Sequence, residues 1–558
     1  MVKYLNNGSS GFQQYMSAKE SEKKSNITTG VLWLAMILLA AWLAYTWLTP
    51  KPAVNNPSPA EPASAAENIS DVPAQKLRGG DINAKLQGLR ISDISLMHYQ
   101  QEKGGAEPVR LLSGDKEFLE VGMLANGTAA PTAGTVWRSE LLKNDLGPEI
   151  LRMTWKNSEG YEFVRDITVT GYVINVTDTV ANHSGRDASV TPYARIVRAA
   201  PAKQSSTVAA GAIAFVDDGI ERESWQRMTK KSYAYDGPGG YVGFEDQYWQ
   251  TIARIGGEDQ TMHMKMRADE LFQADTAAAT AVNIRAGETK SFSAKIYAGP
   301  KTPGDLKSAA AAIPGIERTI DYGWFWFLAR PLLWAINALF DFVGNYGIAI
   351  IILTILLRIA MWPLTRKSYT SMAAMQKMQP EMQRIQKLYA NDKIRMQAEM
   401  TKLYQTHKTS PVSGCLPMLL QIPIFFALYR ALLISVPMRQ AGFLWIPDLA
   451  AADPTSVFNL FGLLPYSVPG WLTIGALPII MGLTMWWQQK LQSPANGAAP
   501  SDPTNPIAQT TKFMKWLPIL FVLLFAWMPA GLVLYWTASN LFGIGQMWWI
   551  KRQEKKSK

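Results

Sequence analysis

Arg358 is the residue whose type and position most clearly suggest a function. It lies inside the apolar segment 347–364, which is long enough to cross a bilayer. A cation at that depth is costly, by about a few kcal/mol or more, and usually marks a functional site. The later apolar segments contain no Asp or Glu that could pair with it. We therefore predict that Arg358 either reaches water or meets an anionic group supplied by another molecule.

Snorkelling is the alternative explanation for Arg358. Arg366 follows about 12 Å further along a helix, and a long side chain can cover part of that distance. However, Arg366 and Lys367 can already anchor the segment at the interface. A third and deeper cation adds cost without an anchoring purpose, which favours a binding role.

The charge distribution divides the chain between two sides of a membrane. The 558 residues carry a net charge of +11, but residues 51–321 hold 30 Lys and Arg against 34 Asp and Glu, a net charge of −4. The remainder therefore carries +15. Basic loops stay in the cytoplasm, so this asymmetry predicts that 51–321 is exported and argues against specific nucleic-acid recognition.

The N-terminal region predicts an uncleaved signal anchor. The apolar segment 31–48 follows several lysines, and no small-residue cleavage site comes after it. Residues 1–30 are then a cytoplasmic tail, and the Pro-, Ala- and Ser-rich residues 49–74 are a linker.

Residues 75–320 predict a β-sandwich. Apolar and polar residues alternate with period two, as in Leu151, Met153 and Trp155, and turn signals recur at 158–160, 183–185 and 236–240. The domain contains no cysteine, so it has no disulfide to stabilise it.

The apolar segment 322–342 is predicted to lie in the plane of the interface. Arg330-Pro331 interrupts it, and aromatic residues crowd its first half. If it crossed the membrane, residues 366–408, with nine basic and three acidic residues, would lie outside the cytoplasm. The positive-inside rule opposes that arrangement.

The remaining apolar segments complete six spans with both termini in the cytoplasm. Besides 31–48, the predicted spans are 346–365, 415–436, 471–489, 513–528 and 532–550. Between and after them come a cytoplasmic helical hairpin at 366–412, a periplasmic loop at 437–470, a cytoplasmic loop at 490–512 and a basic tail at 551–558. Met, Ile, Leu and Tyr at helical spacing predict the two hairpin helices, with the turn at Asn391-Asp392.

Motifs after residue 346 resemble the YidC/Oxa1/Alb3 family of membrane protein insertases. They are TILLR at 354–358, MWPLT at 361–365, YTSMA at 369–373, GCLP at 414–417, QIPIF at 421–425, PAGLVLYW at 529–536 and SNL at 539–541. The segment before them matches the Gram-negative type in placement and length and in its closing YAGPK at 297–301. The N-terminus and the loop 437–470 are longer than is usual in the family. The resemblance implies a multi-pass α-helical membrane protein with a five-helix insertase core and a large periplasmic all-β domain.

The resemblance also implies a mechanism. The five core helices would form a hydrophilic groove, open to the cytoplasm and the lipid, in which Arg358 attracts acidic or polar parts of a nascent chain. Thr354, one turn away on the same face, would help line the groove. Gln421 and Tyr535 are further polar candidates, although hydrogen bonds between helices would also explain these three residues. Phe425, Phe426 and Trp536 are candidates for an apolar slide, with packing inside the bundle as the alternative.

The expected partners follow from the same resemblance. They are nascent membrane proteins, components of the Sec translocon, the lipid bilayer, and ribosomes or targeting factors that would meet the cytoplasmic loops and basic tail. The expected location is the bacterial inner membrane, where the chain would act alone or with the Sec translocon.

An enzyme, a secondary transporter and a periplasmic ligand-binding membrane protein are the rival classes. No nucleophile, phosphate-binding or metal-ligand motif is present, so we expect no catalytic residue, metal or cofactor. Transporters usually show internal repeats and acidic residues within the membrane, and neither is found here. A ligand cleft in the sandwich stays open as a possibility from sequence alone.

Overall fold

The computed structural model describes residue 69 and residues 71–114, 116–143, 147–201, 210–257, 259–390, 392–407, 416–466, 468–492 and 506–556. The predicted tail 1–30, the signal anchor 31–48, most of the linker 49–74 and much of the loop 490–512 lie outside the described residues. The chain divides into two compact units. Among the described residues, the larger unit contains those within 54–363, 417–493 and 503–558, and the smaller unit contains those within 364–416.

The predicted β-sandwich is confirmed, with two antiparallel sheets of ten and nine strands among the described residues. The strands are β1 Ala74–Arg78, β2 Ile82–Gln87, β3 Arg90–Gln100, β4 Pro108–Leu111, β5 Phe118–Asn126, β6 Arg138–Leu142, β7 Ile150–Lys156, β8 Tyr161–Thr170, β9 Val173–Asn182, β10 Ala188–Arg198, β11 Gly211–Val216, β12 Gly219–Ser224, β13 Tyr233–Pro238, β14 Tyr241–Glu245, β15 Trp249–Ile255, β16 Asp259–Met266, β17 Phe272–Ala278, β18 Val282–Ile284 and β19 Thr289–Pro300.

The sheet order explains the period-two pattern. One sheet runs β1-β2-β3-β5-β10-β17-β16-β13, with β4 on β3 and β18 on β10. The other runs β12-β11-β14-β15-β19-β9-β8-β7-β6. In β8, every second residue from Tyr161 to Ile167 is buried, because alternate side chains point to the shared core. A short helix, α1 Trp225–Met228, covers part of that core.

The predicted turns have two different roles. The turn at 158–160 closes the β7–β8 hairpin, whereas those at 183–185 and 236–240 carry the chain from one sheet to the other. Gly240 sits where a Cβ atom would lie 2.5 Å from the Phe215 carbonyl oxygen, so this crossing requires glycine.

Buried charges in the sandwich are paired. Glu120 accepts hydrogen bonds from Arg90 at 2.9 Å and from the Tyr193 hydroxyl at 2.7 Å, and it forms an ion pair with Arg195 at 2.7 Å. Arg165 binds Asp178 through two hydrogen bonds of 2.6 and 2.7 Å. A buried charge is tolerated when an opposite charge lies within hydrogen-bonding distance, and each of these charges has such a partner.

Helices follow the sandwich in chain order. They are α2 Pro303–Ala309, α3 Trp326–Val343, α4 Tyr346–Ala360, α5 Trp362–Leu388, α6 Lys393–Thr406, α7 Leu416–Ile434, α8 Ala476–Gln492, α9 Pro506–Phe525 and α10 Ala530–Lys556. Short 3-10 helices lie at Ile316–Thr319, Val436–Met438, Val457–Gly462 and Gly470–Leu472.

Several predicted boundaries shift in the structure. The segment 346–365 is not one helix, because α4 ends at Ala360 and α5 begins at Trp362, where Pro363 cannot donate to the preceding turn. The connection predicted at Pro529-Ala530-Gly531 lies two to three residues earlier in the structure, since α9 ends at Phe525 and Ala530 already begins α10. The amides of Ala530 and Gly531 donate to the carbonyl oxygens of Ala451 and Leu449, which satisfies the start of the helix.

Length and composition alone identify one uninterrupted helix among the described residues that could cross a membrane, namely Trp326–Val343. The bent pair Tyr346–Ala360 and Trp362–Met375 would make a second if it formed one span. The interfacial orientation of 322–342 and the six-span arrangement therefore stay predictions.

The smaller unit contains most of the predicted hairpin 366–412. Its helices end at Leu388 and begin again at Lys393, where the Asp392 carboxylate accepts a 3.0 Å hydrogen bond from the Arg395 amide. The apolar residues at helical spacing, among them Met382, Ile385 and Met400, are half-buried, which fits two amphipathic helices.

Polar contacts join the sandwich to the end of α7 and to the loop after it, within the larger unit. The Arg439 guanidinium donates to the carbonyl oxygens of Gln100 and Gln101 at 2.8 and 2.6 Å. Lys103 donates to Pro447 at 2.8 Å, and Gln247 donates to the Leu433 carbonyl oxygen at 2.9 Å. Interfaces of this polar kind between domains permit relative motion more readily than apolar ones.

Asp453 fixes the start of α8, five residues later than the predicted span 471–489. The buried carboxylate accepts hydrogen bonds from the Leu477 amide at 2.8 Å and from the Thr455 amide at 3.0 Å. The Thr455 hydroxyl in turn accepts from the Ala476 amide at 2.9 Å. The loop therefore supplies the partners that the first turn of α8 lacks.

We expect Asp453→Ala to destabilise the larger unit by about 1–3 kcal/mol, because several donors lose their acceptor at once. Thermal unfolding of the detergent-solubilised chain measures this loss. Asp448→Ala, which removes the same charge from the same loop, is the matched control and should have a smaller effect. Equal effects of the two variants would contradict this role for Asp453.

Candidate functional site

Three helices bring the predicted polar residues into one part of the bundle. Thr354 and Arg358 lie four residues apart on α4, and Tyr535 and Ser539 lie four apart on α10. Gln421 lies on α7, four residues before Phe425. Residues at this spacing share one face of a helix, so each helix contributes a pair of side chains.

Arg358 is buried, and its hydrogen-bond partner is neutral. The side chain is 9% exposed, and Nε donates to the Ser539 hydroxyl at 2.8 Å, with Nη2 directed at the same oxygen. Within the described part of the chain, Nη1 has no hydrogen-bond partner and no carboxylate pairs with the guanidinium. Ser539 accepts hydrogen bonds from the guanidinium without neutralising its charge.

Gln421 and Tyr535 bind each other. The Gln421 side-chain amide donates to the Tyr535 hydroxyl, and both side chains are buried. This hydrogen bond joins α7 to α10, which is the alternative explanation that the sequence left open for these two residues.

Thr354 is fully buried and hydrogen-bonds within its own helix. Its hydroxyl donates to the Ile350 carbonyl oxygen at 2.7 Å. Threonine commonly does this inside a helix, so the hydroxyl is already occupied in this structure.

The three predicted slide residues have different surroundings. Phe425 and Trp536 are half-buried and meet edge to face at 5.3 Å, together with Phe525 and Phe521. Phe426 is 48% exposed and stacks on Phe325 at 6.3 Å. Packing within the bundle therefore explains Phe425 and Trp536 better than it explains Phe426.

Ser539 is the site residue that the sequence reasoning did not identify. It belongs to the SNL motif at 539–541 and follows Tyr535 by four residues, so helical spacing alone could have placed it beside the polar candidates. Its neighbour Asn540 donates to the Thr484 hydroxyl at 3.2 Å and ties α10 to α8.

Arg430 lies in the same bundle, and its charge is neutralised by a carboxylate. Its Nε donates to the Asp321 carbonyl oxygen at 2.9 Å, and Nη2 binds the Asp321 carboxylate. The helices α4, α7, α8 and α9 contain no Asp or Glu, and α10 contains Glu554 only in its last turn. A carboxylate thus reaches Arg430 from outside the bundle helices.

The described residues contain no group of three or more His, Cys, Asp or Glu side chains that could hold a metal ion.

Two protein families match the chain. Residues 338–557 match the 60Kd inner membrane protein family, and residues 74–335 match the YidC periplasmic domain. The membrane protein insertase YidC of Rickettsia conorii is 36% identical over 487 residues, which cover 84% of this chain and 85% of the relative. The Rickettsia bellii insertase is 35% identical over 511 residues, covering 88% and 89%.

The chain belongs to the YidC family of membrane protein insertases. A crystal structure of an active YidC insertase covers 86% of this chain and 94% of its own, at 17% identity and a TM-score of 0.36.

Membership of the YidC family confirms the predicted insertase function. The protein inserts membrane proteins, so its clients are nascent membrane proteins, and it resides in the inner membrane with the sandwich in the periplasm. The secondary transporter is set aside by this assignment.

Replacing Ser539 with alanine tests how Arg358 is held. The change leaves Nε without its acceptor, and a buried unsatisfied donor costs about 1–3 kcal/mol, so Ser539→Ala should lower thermal stability in detergent. The double variant Arg358→Ala/Ser539→Ala should lose less than the two single losses together, because the partners are removed jointly. Additive losses would show that the hydrogen bond contributes nothing.

Proposed function

We propose that this insertase receives polar and acidic parts of its clients at a groove whose charged element is Arg358. The supporting observation is the partner of Arg358, which is the neutral Ser539 hydroxyl and not a carboxylate. A cation that is buried but not neutralised attracts an anionic group of a client more strongly than an exposed cation does.

The energetic argument concerns charge. Two opposite charges about 6 Å apart attract by roughly 3 kcal/mol at an effective dielectric constant near 20, before desolvation losses. That attraction would lower the cost of bringing an acidic segment into the poorly hydrated inner half of the bilayer. The client carboxylate would pair with Arg358 in the way that Asp321 pairs with Arg430.

The other site residues have supporting roles in this proposal. Ser539 orients the guanidinium, and the Gln421–Tyr535 hydrogen bond holds two walls of the groove together. Phe426, exposed on α7, is the slide residue best placed to touch an incoming apolar helix. Thr354 would line the groove through its methyl group, because its hydroxyl is bound to Ile350.

We also propose the six-span topology, with both termini in the cytoplasm and 322–342 at the outer surface. The basic hairpin 366–412 and tail 551–558 would then face ribosomes or targeting factors, and the chain would work alone or beside the Sec translocon. The charge asymmetry of the sequence and the family assignment support this arrangement.

Substitutions at Arg358 test the groove. Arg358→Ala should reduce insertion of clients with acidic translocated tails by roughly tenfold or more, as expected from losing most of a 3 kcal/mol attraction. Arg358→Lys should retain much of the activity, and Arg358→Glu should be worst because it repels the tail. Protease protection of the tail in proteoliposomes, at equal protein levels, measures insertion.

Arg366→Ala is the matched control, since it removes one positive charge outside the proposed groove. Clients with neutral tails should be affected less by every Arg358 variant. Wild-type insertion of acidic-tailed clients by Arg358→Ala would establish snorkelling as the reason for this arginine.

Labelling of introduced thiols tests the topology. In a chain whose single cysteine, Cys415, is replaced by serine, a cysteine at Lys230 should react with an impermeant maleimide from the periplasm. A cysteine at Lys393 should react only after the cytoplasmic face is opened. Labelling of both positions from the same side would refute the six-span arrangement.

A further inference from the structure

An open cavity of about 860 Å³ lies where the sandwich ends and α3 begins. Its walls come from α2, from the short helix Ile316–Thr319 and from the segment leading to Trp326, all within the larger unit. The volume is in the range of small-molecule sites. The cavity is separate from Arg358 and from the polar residues around it.

The cavity has an excess of positive charge. Three of its charged residues are paired with residues outside it, Arg222 with Glu245, Arg318 with Asp218 and Asp321 with Arg430. Of the remaining charges, Lys307 and Arg330 face a single carboxylate, Glu317.

Two of these cations are available for a ligand. Lys307 and Arg330 are exposed, and neither has an ion-pair or hydrogen-bond partner in the described portion of the chain. Arg318 instead donates to the Asp218 carbonyl oxygen at 2.5 Å and lies over the Phe215 ring. Lys307 approaches the cavity from the sandwich side and Arg330 from α3.

The helix side of the cavity is rich in exposed aromatic residues. Trp326 lines the cavity, and Trp324, Phe327 and Trp334 are also exposed, with Trp334 at 73%. Tryptophan favours the headgroup level of a bilayer, where its ring is partly buried and its N–H remains in a polar layer. Cationic side chains suit the phosphate of a phospholipid, and tryptophan suits the region just below the headgroup.

We propose that this cavity binds the headgroup of an anionic phospholipid from the outer leaflet, with Lys307 and Arg330 holding the phosphate and Trp326 packing at the level of the glycerol. The inference rests on the proposed placement of α3 at the outer membrane surface. Since α2 belongs to the sandwich and α3 to the membrane surface, one bound lipid would bridge them and restrict the motion that their polar contacts allow.

Native mass spectrometry of the full-length, detergent-solubilised chain tests the site. Added phosphatidylglycerol should bind with a preference over phosphatidylcholine. The double variant Lys307→Gln/Arg330→Gln should weaken phosphatidylglycerol binding by about 25-fold, since each basic residue near an anionic lipid is worth roughly fivefold. Trp326→Ala should weaken binding of both lipids, because it removes apolar contact without changing charge.

The matched control is Arg138→Gln/Lys143→Gln. This variant loses the same charge from exposed residues at β6, which is the opposite edge of the sheet from β12, the strand that carries Arg222. The variant should bind phosphatidylglycerol as the wild type does. Unfolding temperatures of all variants confirm that they are folded.

Three results would overturn the proposal. The first is equal phosphatidylglycerol binding by Lys307→Gln/Arg330→Gln and the wild type. The second is equal binding of phosphatidylcholine and phosphatidylglycerol by the wild type. The third is displacement of the lipid by millimolar inorganic phosphate, which would assign a site for free anions. No client is present in this measurement, so the lipid result does not depend on the insertion mechanism proposed for Arg358. Likewise, a failure of lipid binding at the cavity would not contradict that mechanism.

Discussion

A buried guanidinium needs both hydrogen-bond acceptors and a counter-charge, and within the described helices Arg358 obtains only an acceptor. Ser539 directs the side chain but leaves its charge uncompensated. Arg430, on a neighbouring helix, receives a carboxylate from Asp321 and is neutralised. A residue outside the bundle helices can therefore supply a counter-ion to an arginine within them, and among the described residues Arg358 receives none.

The neutral hydrogen bonds of the bundle complement this arrangement. Gln421–Tyr535 and Asn540–Thr484 each join two helices without introducing charge. In a membrane, such bonds help to fix helix positions where apolar packing gives little preference between registers. Because these contacts are uncharged, they place no carboxylate that would compete with the acidic client segment proposed to bind Arg358.

The sequence predicted the β-sandwich and a helical core, since both depend on local pattern: alternation with period two and long apolar segments. The six spans and the role of Arg358 stay predictions. The sequence did not predict where helices begin, because the acceptors for their first amides come from distant residues. Asp453 holds Leu477, and the Leu449 carbonyl oxygen holds Gly531. Helical spacing could have placed Ser539 on the same face as Tyr535, but its hydrogen bond to Arg358 could not be predicted, since it depends on the register between α4 and α10.

The sandwich and the polar cluster meet opposite ends of α7. Gln421 lies near the start of this helix, whereas Arg430 and Leu433, which contact the sandwich side, lie near its end. Twelve residues of helix separate Gln421 from Leu433, or about 18 Å. The contacts that position the sandwich therefore do not touch the residues around Arg358, and α7 is one rigid element that connects the two sets of contacts. This separation explains how a large exported domain can be attached without closing or crowding the proposed groove.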